Sequence, residues 1–474
     1  MSQQTASPDL TNQKLEVIGQ GHLVRHAGSL DDSAREGFYR QLDSLDLDEL
    51  ARLIKANTSD YSPDPVPGSL EPARVIALGD PAREPARHTG EALIRAGKVA
   101  CFTVAGGQGS RLGYDGPKGC YPTSCVTGKP LFRVFAEGIL GTQRRHDVTI
   151  PWYIMTSPLN HEATVAFFAQ HGHFGLDPSA VRFFPQGVMP SFDKDSGQLL
   201  LSEQGILATN PDGHGGSFKA LRVSGALDDM KQRGVEHLSY FQVDNPHTRP
   251  VDPVFLGLHA SSPDSSGQFS SKMVAKAAWN EKVGVFCIAD GRTQVIEYSD
   301  LPEDLAKQKK PDGSLAFNAG SVAIHAIGVD FVDKVTSDDA FALPFHRAIK
   351  KVPFVDPESG VRHEPPEPNA VKLERFVFDG IPIADRSIVV ETGRVEEFAP
   401  VKNAMGTDSI ESSRTLQTER AARWLEANGT SVPRREDGTV DAVIEISPLT
   451  AQDALELGEH DLPGSIEPGA TVTL

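Results

Sequence analysis

Residues 98–119 read KVACFTVAGGQGSRLGYDGPKG. The apolar run Val99–Val104 predicts a strand, and the loop after it is unusual: six glycines among residues 104–119, with Arg111 and Lys118 between them. Gly107, Gly109 and Gly113 give GxGxxxG, one residue longer than the dinucleotide fingerprint, and no GK[ST] comes next to supply a Walker lysine. There remains a strand ending in a loop whose missing Cβ atoms let backbone N–H groups approach a ligand, with two cations close by. Such a loop at the carboxyl end of a sheet strand suits a nucleoside triphosphate. A glycine-rich crossover carrying two surface cations is the bland alternative; the position of the basic residues inside the loop favours function.

Working outward, short β-rich runs (VACFTVA, TIPWYIMT, HLSYFQV, VGVFCIA, GSVAIHAI) alternate with helical segments such as LFRVFAEGILGTQRRH and HEATVAFFAQHG. This alternation predicts an α/β fold with a Rossmann-like, mostly parallel sheet over residues 98–400. Before it, apolar positions recur at helical spacing; Phe38, Leu42, Leu45, Leu50 and Leu53 share one face. Residues 1–97 are therefore expected to form a helical N-terminal domain, interrupted by the proline-rich loop DYSPDPVPG. After residue 400, a helix around TERAARWLEANG and strands in AVIEIS and ATVTL predict a small C-terminal domain, 401–474.

Composition narrows the function classes. The 46 basic and 64 acidic side chains give a formal charge of -18, so neither nucleic acid nor an anionic membrane is an expected partner, and any polyanion must be held by a local cluster. The four cysteines, Cys101, Cys120, Cys125 and Cys287, form no CxxC pair and suit a reducing compartment. No zinc-type spacing of His and Cys occurs. No leader-like N-terminus and no run of 18 apolar residues is seen, so a cytoplasmic protein is expected. Composition does not indicate an oligomeric state.

GGQGSRLG followed by GPKG resembles the signature of the UDP-sugar pyrophosphorylases, most closely the eukaryotic-type UDP-N-acetylglucosamine pyrophosphorylases. FFPQGVMP, PDGHGG, YFQVDNP, EKVGVFC, VIEYSD, FNAG, PNAVKLERFVFD and EFAPVKNA occur in the family's order, from about Val99 to Ala404. The resemblance implies a nucleotidyltransferase core in which a sugar 1-phosphate oxygen attacks the α-phosphorus of UTP, releasing pyrophosphate and forming a UDP-sugar. A phosphate monoester is already largely ionised, so alignment and charge stabilisation carry catalysis and no general base is needed.

Within that resemblance Arg111 and Lys118 match the loop cations on the triphosphate and departing pyrophosphate, and Lys402 in EFAPVKNA is a third cation for the phosphates. Asp244 comes after the run HLSYFQV at a strand end, and one carboxylate with substrate oxygens and water is the usual way to hold Mg²⁺. Asp379 is a second candidate ligand. The family implies uracil recognition by the backbone at Gly106 and Gly107, by Gln186 and by Gly213. It implies sugar contacts from Gly284, Glu297 and Asn318, with Phe378 packing on the sugar or its acetamido group.

Two positions depart from the acetylglucosamine pattern. His214 stands in PDGHGG where those enzymes have asparagine, and histidine there is frequent in UDP-glucose and broad UDP-sugar pyrophosphorylases. Pro185 replaces a glutamine just before Gln186. N-acetylglucosamine 1-phosphate is therefore the first expected substrate, glucose or galactose 1-phosphate the second, and a non-catalytic nucleotide-sugar sensor a remote third.

Overall fold

Each of the five quoted runs contains a strand of one central sheet. The computed structural model describes residues 8–62, 68–337 and 343–474. Its largest sheet has eleven strands: β1 (Leu70–Pro72), β2 (Val75–Ile76), β3 (Val99–Val104), β4 (Trp152–Thr156), β5 (Val181–Pro185), β6 (His237–Gln242), β7 (Phe269–Ala275), β8 (Val285–Ala289), β9 (Arg292–Ile296), β10 (Ala319–Gly328) and β11 (Val389–Glu391). Along the path β2-β11-β7-β10-β6-β3-β4-β5 every strand points the same way except β10, which is antiparallel to both neighbours. The sheet is thus mostly parallel, as expected, and β8 joins it through β10 while pairing antiparallel with β1 and β9.

The chain divides into two compact units at places the sequence does not mark. The first comprises residues 8–62, 187–216 and 343–376; the second comprises 68–186, 217–337 and 377–474. The expected helical domain of residues 1–97 is therefore shared: its first four helices belong to one unit, and residues 68–97 to the other. Strands β1 and β2 hold only three and two residues, too few for a period of two to stand out in sequence. Residues 63–67 of the proline-rich loop lie outside the described residues.

In the first unit, α1 (Pro8–Val17), α2 (Gly21–Ser29), α3 (Asp32–Asp43) and α4 (Leu47–Asn57) bury Leu15, Leu23, Phe38, Leu42 and Leu50 against Phe192, Leu201, Val371 and Leu373. Asp31 and Asp46 cap α3 and α4 by accepting backbone N–H groups, which is why the predicted single apolar face is broken into two helices at Ser44–Asp46.

In the second unit, β3 turns Cys101 into a core with Trp152, Phe132, Phe135, Phe168 and Phe241. On the alternate positions Phe102 stacks on Phe184 and meets Tyr240 edge-on. Both faces of β3 are covered, as a parallel strand requires. Helices α5 (Arg83–Arg95), α6 (Leu131–His146), α7 (His161–Gln170) and α8 (Pro253–Ser261) belong to this unit, as does α9 (Ile410–Ala427). Near α9, Ala442–Glu445 pairs parallel with Ala470–Thr473 around Ala422, Leu425 and Ile444, so the expected C-terminal elements exist and share the unit of the central sheet. No helix among the described residues is long and apolar enough to cross a membrane.

Candidate active site

Parallel pairing brings four chain segments to one carboxyl edge. Val104 on β3 stands opposite Gln242 on β6 and Met155 on β4, and Thr156 stands opposite Pro185 on β5. The residues just beyond these strand ends are Ala105–Gly107, Asp244, Ser157 and Gln186, so the sheet topology alone places Gly106, Gly107, Asp244 and Gln186 along one rim.

At this rim Gly106 is needed for close approach. A Cβ there would lie 2.8 Å from Gln186 Oε1 and 3.4 Å from Ser157 Cβ. Gln186 is 7% exposed and its amide is thereby held against bare backbone. Pro185 does not disturb this arrangement: it ends the outer strand of the path, where a missing N–H costs no internal ladder bond. An amide beside a peptide plane offers both donor and acceptor functions, the complement of a uracil edge.

The glycine-rich loop closes on itself before returning to the core. Gly109 N–H donates to the Gly116 carbonyl at 2.9 Å, and Lys118 N–H donates to the Gly107 carbonyl at 3.1 Å. Not every loop glycine stands open to a ligand. Added Cβ atoms at Gly109 and Gly119 would strike Tyr114 and Phe132, whereas Gly107 is exposed with nothing within 4 Å. Arg111, on a short turn, is exposed and Lys118 is half-buried; neither makes an ion pair or side-chain hydrogen bond among the described residues.

Asn160, which the sequence reading does not single out, fixes the start of this loop. Its Nδ2 donates to the carbonyls of Ala105 and Gly107 at 3.0 and 3.2 Å, and its Oδ1 accepts from Ser157 N–H at 2.8 Å. It is 1% exposed and clamps β3's loop to the β4 corner. Its only sequence signal is its place just before α7, where a helix cap is the default reading.

Asp244 and Lys402 are brought together by the main chain. The Asp244 carbonyl accepts from Val401 N–H at 2.8 Å, and Lys402 Nζ lies 3.8 Å from Asp408 Oδ2. Asn245 reinforces this contact: Nδ2 donates to the Glu397 carbonyl at 2.7 Å, and Oδ1 accepts from Ala399 N–H at 3.0 Å. Burial raises the Asp408 carboxyl above its ordinary range, with Lys402 opposing and Asp244 adding to the rise. Asp408 is a further missed residue, hidden in sequence as an ordinary acid before the helix-capping Ser409.

The Asp244 carboxylate is half-buried and has no cation or hydrogen-bond donor on it among the described residues. A hard anionic oxygen left in this state fits a magnesium ion that takes its other ligands from substrate and water. No group of three His, Cys, Asp or Glu with metal-site placement occurs among the described residues. Asp379 sits beside Phe378 on the turn Val377–Gly380.

Gly284, Glu297 and Asn318, the residues expected to meet the sugar, flank the ends of β8, β9 and β10. Val285 pairs with Ile296, which sets Gly284 across from Glu297; a Cβ on Gly284 would come to 3.5 Å from Glu297 Oε1. The Gly284 carbonyl accepts from Ser321 N–H at 2.8 Å, and Asn318 immediately precedes β10, its carbonyl accepting from Lys276 N–H at 2.9 Å. The turn carrying Phe378 lies against β9.

Gly213 and His214 belong to the first unit. Gly213 has φ +84°, and a Cβ there would fall 2.3 Å from the Arg375 carbonyl oxygen, so only glycine fits. The His214 ring stacks on Phe376 with centroids 5.4 Å apart, and burial, with His346 as a lesser cause, lowers its pKa to about 4. The imidazole is therefore neutral near pH 7.

Residues 74–431 match the family described as UTP–glucose-1-phosphate uridylyltransferase. The chain belongs to this family of UDP-sugar pyrophosphorylases. It is 36% identical to UDP-N-acetylhexosamine pyrophosphorylase-like protein 1 of Mus musculus, covering 92% of each chain. It is 35% identical to UDP-N-acetylglucosamine diphosphorylase 2 of Arabidopsis thaliana, covering 94% of this chain and 90% of the relative. The crystal structure of the uridine diphosphate N-acetylglucosamine pyrophosphorylase from Trypanosoma brucei shares the fold at TM-score 0.82 and 23% identity, over 98% of this chain and 99% of that one.

Proposed function

We propose that this protein is a Mg²⁺-dependent uridylyltransferase that forms a UDP-sugar and pyrophosphate from UTP and a sugar 1-phosphate, with N-acetylglucosamine 1-phosphate as its main substrate. The observation that carries the reading is the carboxyl edge, where a buried amide against bare backbone at Gly106 stands in line with cations and a carboxylate that have no strong partners of their own. Gln186 with the Gly106–Gly107 backbone orients the uracil.

In the reaction an oxygen of the sugar phosphate forms a bond to the α-phosphorus of UTP as the bond from that phosphorus to the pyrophosphate oxygen breaks. No proton has to move. Arg111 and Lys118 hold the triphosphate and take up the charge of the departing pyrophosphate, and Lys402 reaches the phosphates from the segment anchored at Asp244. At about 4 Å a cation and a phosphate charge interact by roughly 4 kcal/mol at an effective dielectric of ~20, before desolvation is subtracted. Magnesium, held by Asp244, would supply neutralisation of phosphate charge. Gly284, Glu297 and Asn318 orient the sugar by hydrogen bonds, and Phe378 packs on its acetamido face. The four cysteines are all free thiols, which fits a reducing, cytoplasmic setting.

A second reading, preference for glucose or galactose 1-phosphate, is favoured by His214. The test is UTP with magnesium and a panel of sugar 1-phosphates, ranked by kcat/KM from pyrophosphate release. N-acetylglucosamine 1-phosphate is expected to rank first. Glucose 1-phosphate in first place establishes the second reading, and no turnover with any sugar ends both.

A further inference from the structure

The turn just after Asp244 lines a cavity of about 220 Å³ in the second unit. Its other walls are α5, the Thr392–Glu397 segment, α9 and the stretch from Ile446 to Asp453. At the ~30 Å³ of a liquid water, that volume would hold roughly seven waters, enough room for a small organic molecule.

The charges on this wall are unevenly committed. Four carboxylates line it, and each is engaged. Asp252 accepts from Lys272 Nζ at 2.6 Å and caps α8, and Glu397 accepts from Lys272 Nζ at 2.5 Å and from Thr392 Oγ1 at 2.7 Å. Glu396 accepts from the Trp424 indole at 2.7 Å, and Asp453 is shared by Arg87 and Arg249 at 3.4 and 2.8 Å. The remaining two arginines of the wall, Arg83 and Arg420, make no ion pair among the described residues. Arg83 donates to the Glu391 carbonyl at 3.1 Å, and Arg420 donates through Nη1 to the carbonyls of His247 and Glu396 at 3.2 Å.

Enclosed polar atoms at the same wall also lack partners. Thr248 Oγ1, Arg249 Nε and the ring nitrogens of His247 make no well-formed hydrogen bond; His247 is 1% exposed, with only a weak interaction at the Val395 backbone. Buried polar groups without partners are rare, and their clustering here marks this wall as polar. The Arg420 guanidinium carbon lies over the Trp424 ring, 5.0 Å from its centroid, and both side chains line the cavity.

We propose that this cavity is an effector site for a small organic oxyanion, a phosphate monoester or a carboxylate with a flat apolar body, with Arg83 and Arg420 taking the head group and Trp424 the body. Its coupling to turnover runs through Asn245, which ties the turn after Asp244 to the Glu397–Ala399 segment leading to Lys402. A ligand that moves either wall moves the carboxylate or the lysine of the catalytic edge.

The test is calorimetric titration of the full chain with phenyl phosphate, benzoate and, as the uncharged control, benzyl alcohol, each with and without saturating UTP. One of the two anions is expected to bind at a single site, and whichever binds identifies the head group. UTP should leave that affinity unchanged, benzyl alcohol should not bind, and Arg420→Gln or Arg83→Gln should weaken it at least about tenfold. The bound anion is expected to change kcat at least about twofold at unchanged KM for UTP. No saturable binding up to about 10 mM, equal binding of the alcohol, competition by UTP, or full affinity in both variants overturns the site. Binding that leaves kcat unchanged overturns the effector role. Should Arg420→Gln not fold, Arg83→Gln, half-buried in the first turn of α5, decides alone. The titration reads binding whether or not the chain turns over, so its failure is separate from that of the uridylyltransferase reading.

Discussion

Two groups of cations in the second unit have opposite surroundings. Lys272, buried in β7, is held by Asp252 and Glu397 at 2.6 and 2.5 Å. Arg111 and Lys118, on the glycine-rich loop, have no anionic partner among the described residues, and Lys402 has only a carboxylate at 3.8 Å. The locked cation has spent its interaction on joining β7, α8 and the segment after β11. The loop cations keep theirs for a ligand that brings its own negative charge. Charge that is paired in the folded protein serves stability, and charge left open serves binding, so the two groups should fail in different assays.

The largest effect is expected at the locked site. Replacing Lys272 by methionine keeps the length of the side chain and leaves two buried carboxylates without their cation. A loss of about 3–5 kcal/mol in urea-unfolding free energy is expected, with activity following the fraction folded. A loss below about 1 kcal/mol would remove the distinction, since the cluster would then be no stronger than an exposed pair.

Arg111→Ala should show the reverse. Magnesium-dependent exchange of labelled pyrophosphate into UTP, in the presence of UDP-sugar, is expected to fall by about 10²–10³, the usual cost of a group that stabilises transition-state charge. The unfolding free energy should stay within about 0.5 kcal/mol of the parent, because an exposed side chain without partners carries no folding energy. Unchanged exchange would mean that the loop does not reach the phosphates. Lys402→Ala tests the intermediate case. Its kcat should fall by at least about tenfold while UTP affinity changes much less, because its charge acts where pyrophosphate departs; equal losses in both would place it in ground-state binding.

The open charges were legible in the sequence and the locked ones were not. Arg111 and Lys118 stand among glycines after an apolar run and Asp244 follows another, so local patterns are enough to find them; Lys402, in a loop, was found through the family resemblance of EFAPVKNA. Lys272 lies in SSKMVA, where a lysine reads as a solvated side chain on an edge, and its partners are 20 and 125 residues away. No period or spacing connects them; only the β7–β11 pairing and the start of α8 do. Asn160 escaped for the same reason, since its targets at Ala105 and Gly107 are 55 and 53 residues away. The division into units was hidden because residues 187–216 and 343–376 build their core with α1–α4, a pairing fixed by tertiary contact alone. Strands β3, β4, β6, β8 and β10, helix α6 and the C-terminal helix needed no such partner to be seen.

A smaller effect concerns specificity. His214 is neutral and stacked on Phe376, so it presents a ring where an asparagine would present an amide. His214→Asn is expected to shift the ratio of kcat/KM values toward the acetamido sugar by about tenfold, near 1.4 kcal/mol. If that ratio stays constant, His214 is not the selector.

The smallest expected effect sharpens the comparison by opening a locked group with protons. His259 in α8 is fully buried; its Nδ1 pairs with Ser270 Oγ at 2.8 Å, and its Nε2 makes no well-formed hydrogen bond among the described residues, the ring having only a weak further interaction at the Gly267 backbone. Burial, and to a lesser degree His237, lowers its pKa to about 3. In the unfolded chain the same ring takes its proton near its ordinary value of 6.5. Between these values the unfolded state binds more protons, so the contribution of His259 to stability is present above pH 6.5 and declines as pH falls toward 3. Between pH 7 and 5.5 this one residue should cost roughly 1 kcal/mol. His259→Asn removes the titration while keeping a polar group for Ser270, so its unfolding free energy should change by that much less than the parent's over the same interval. Parallel pH profiles for the two proteins would show that the ring is hydrated in the folded state, and the boundary between locked and open groups would have to be redrawn at α8.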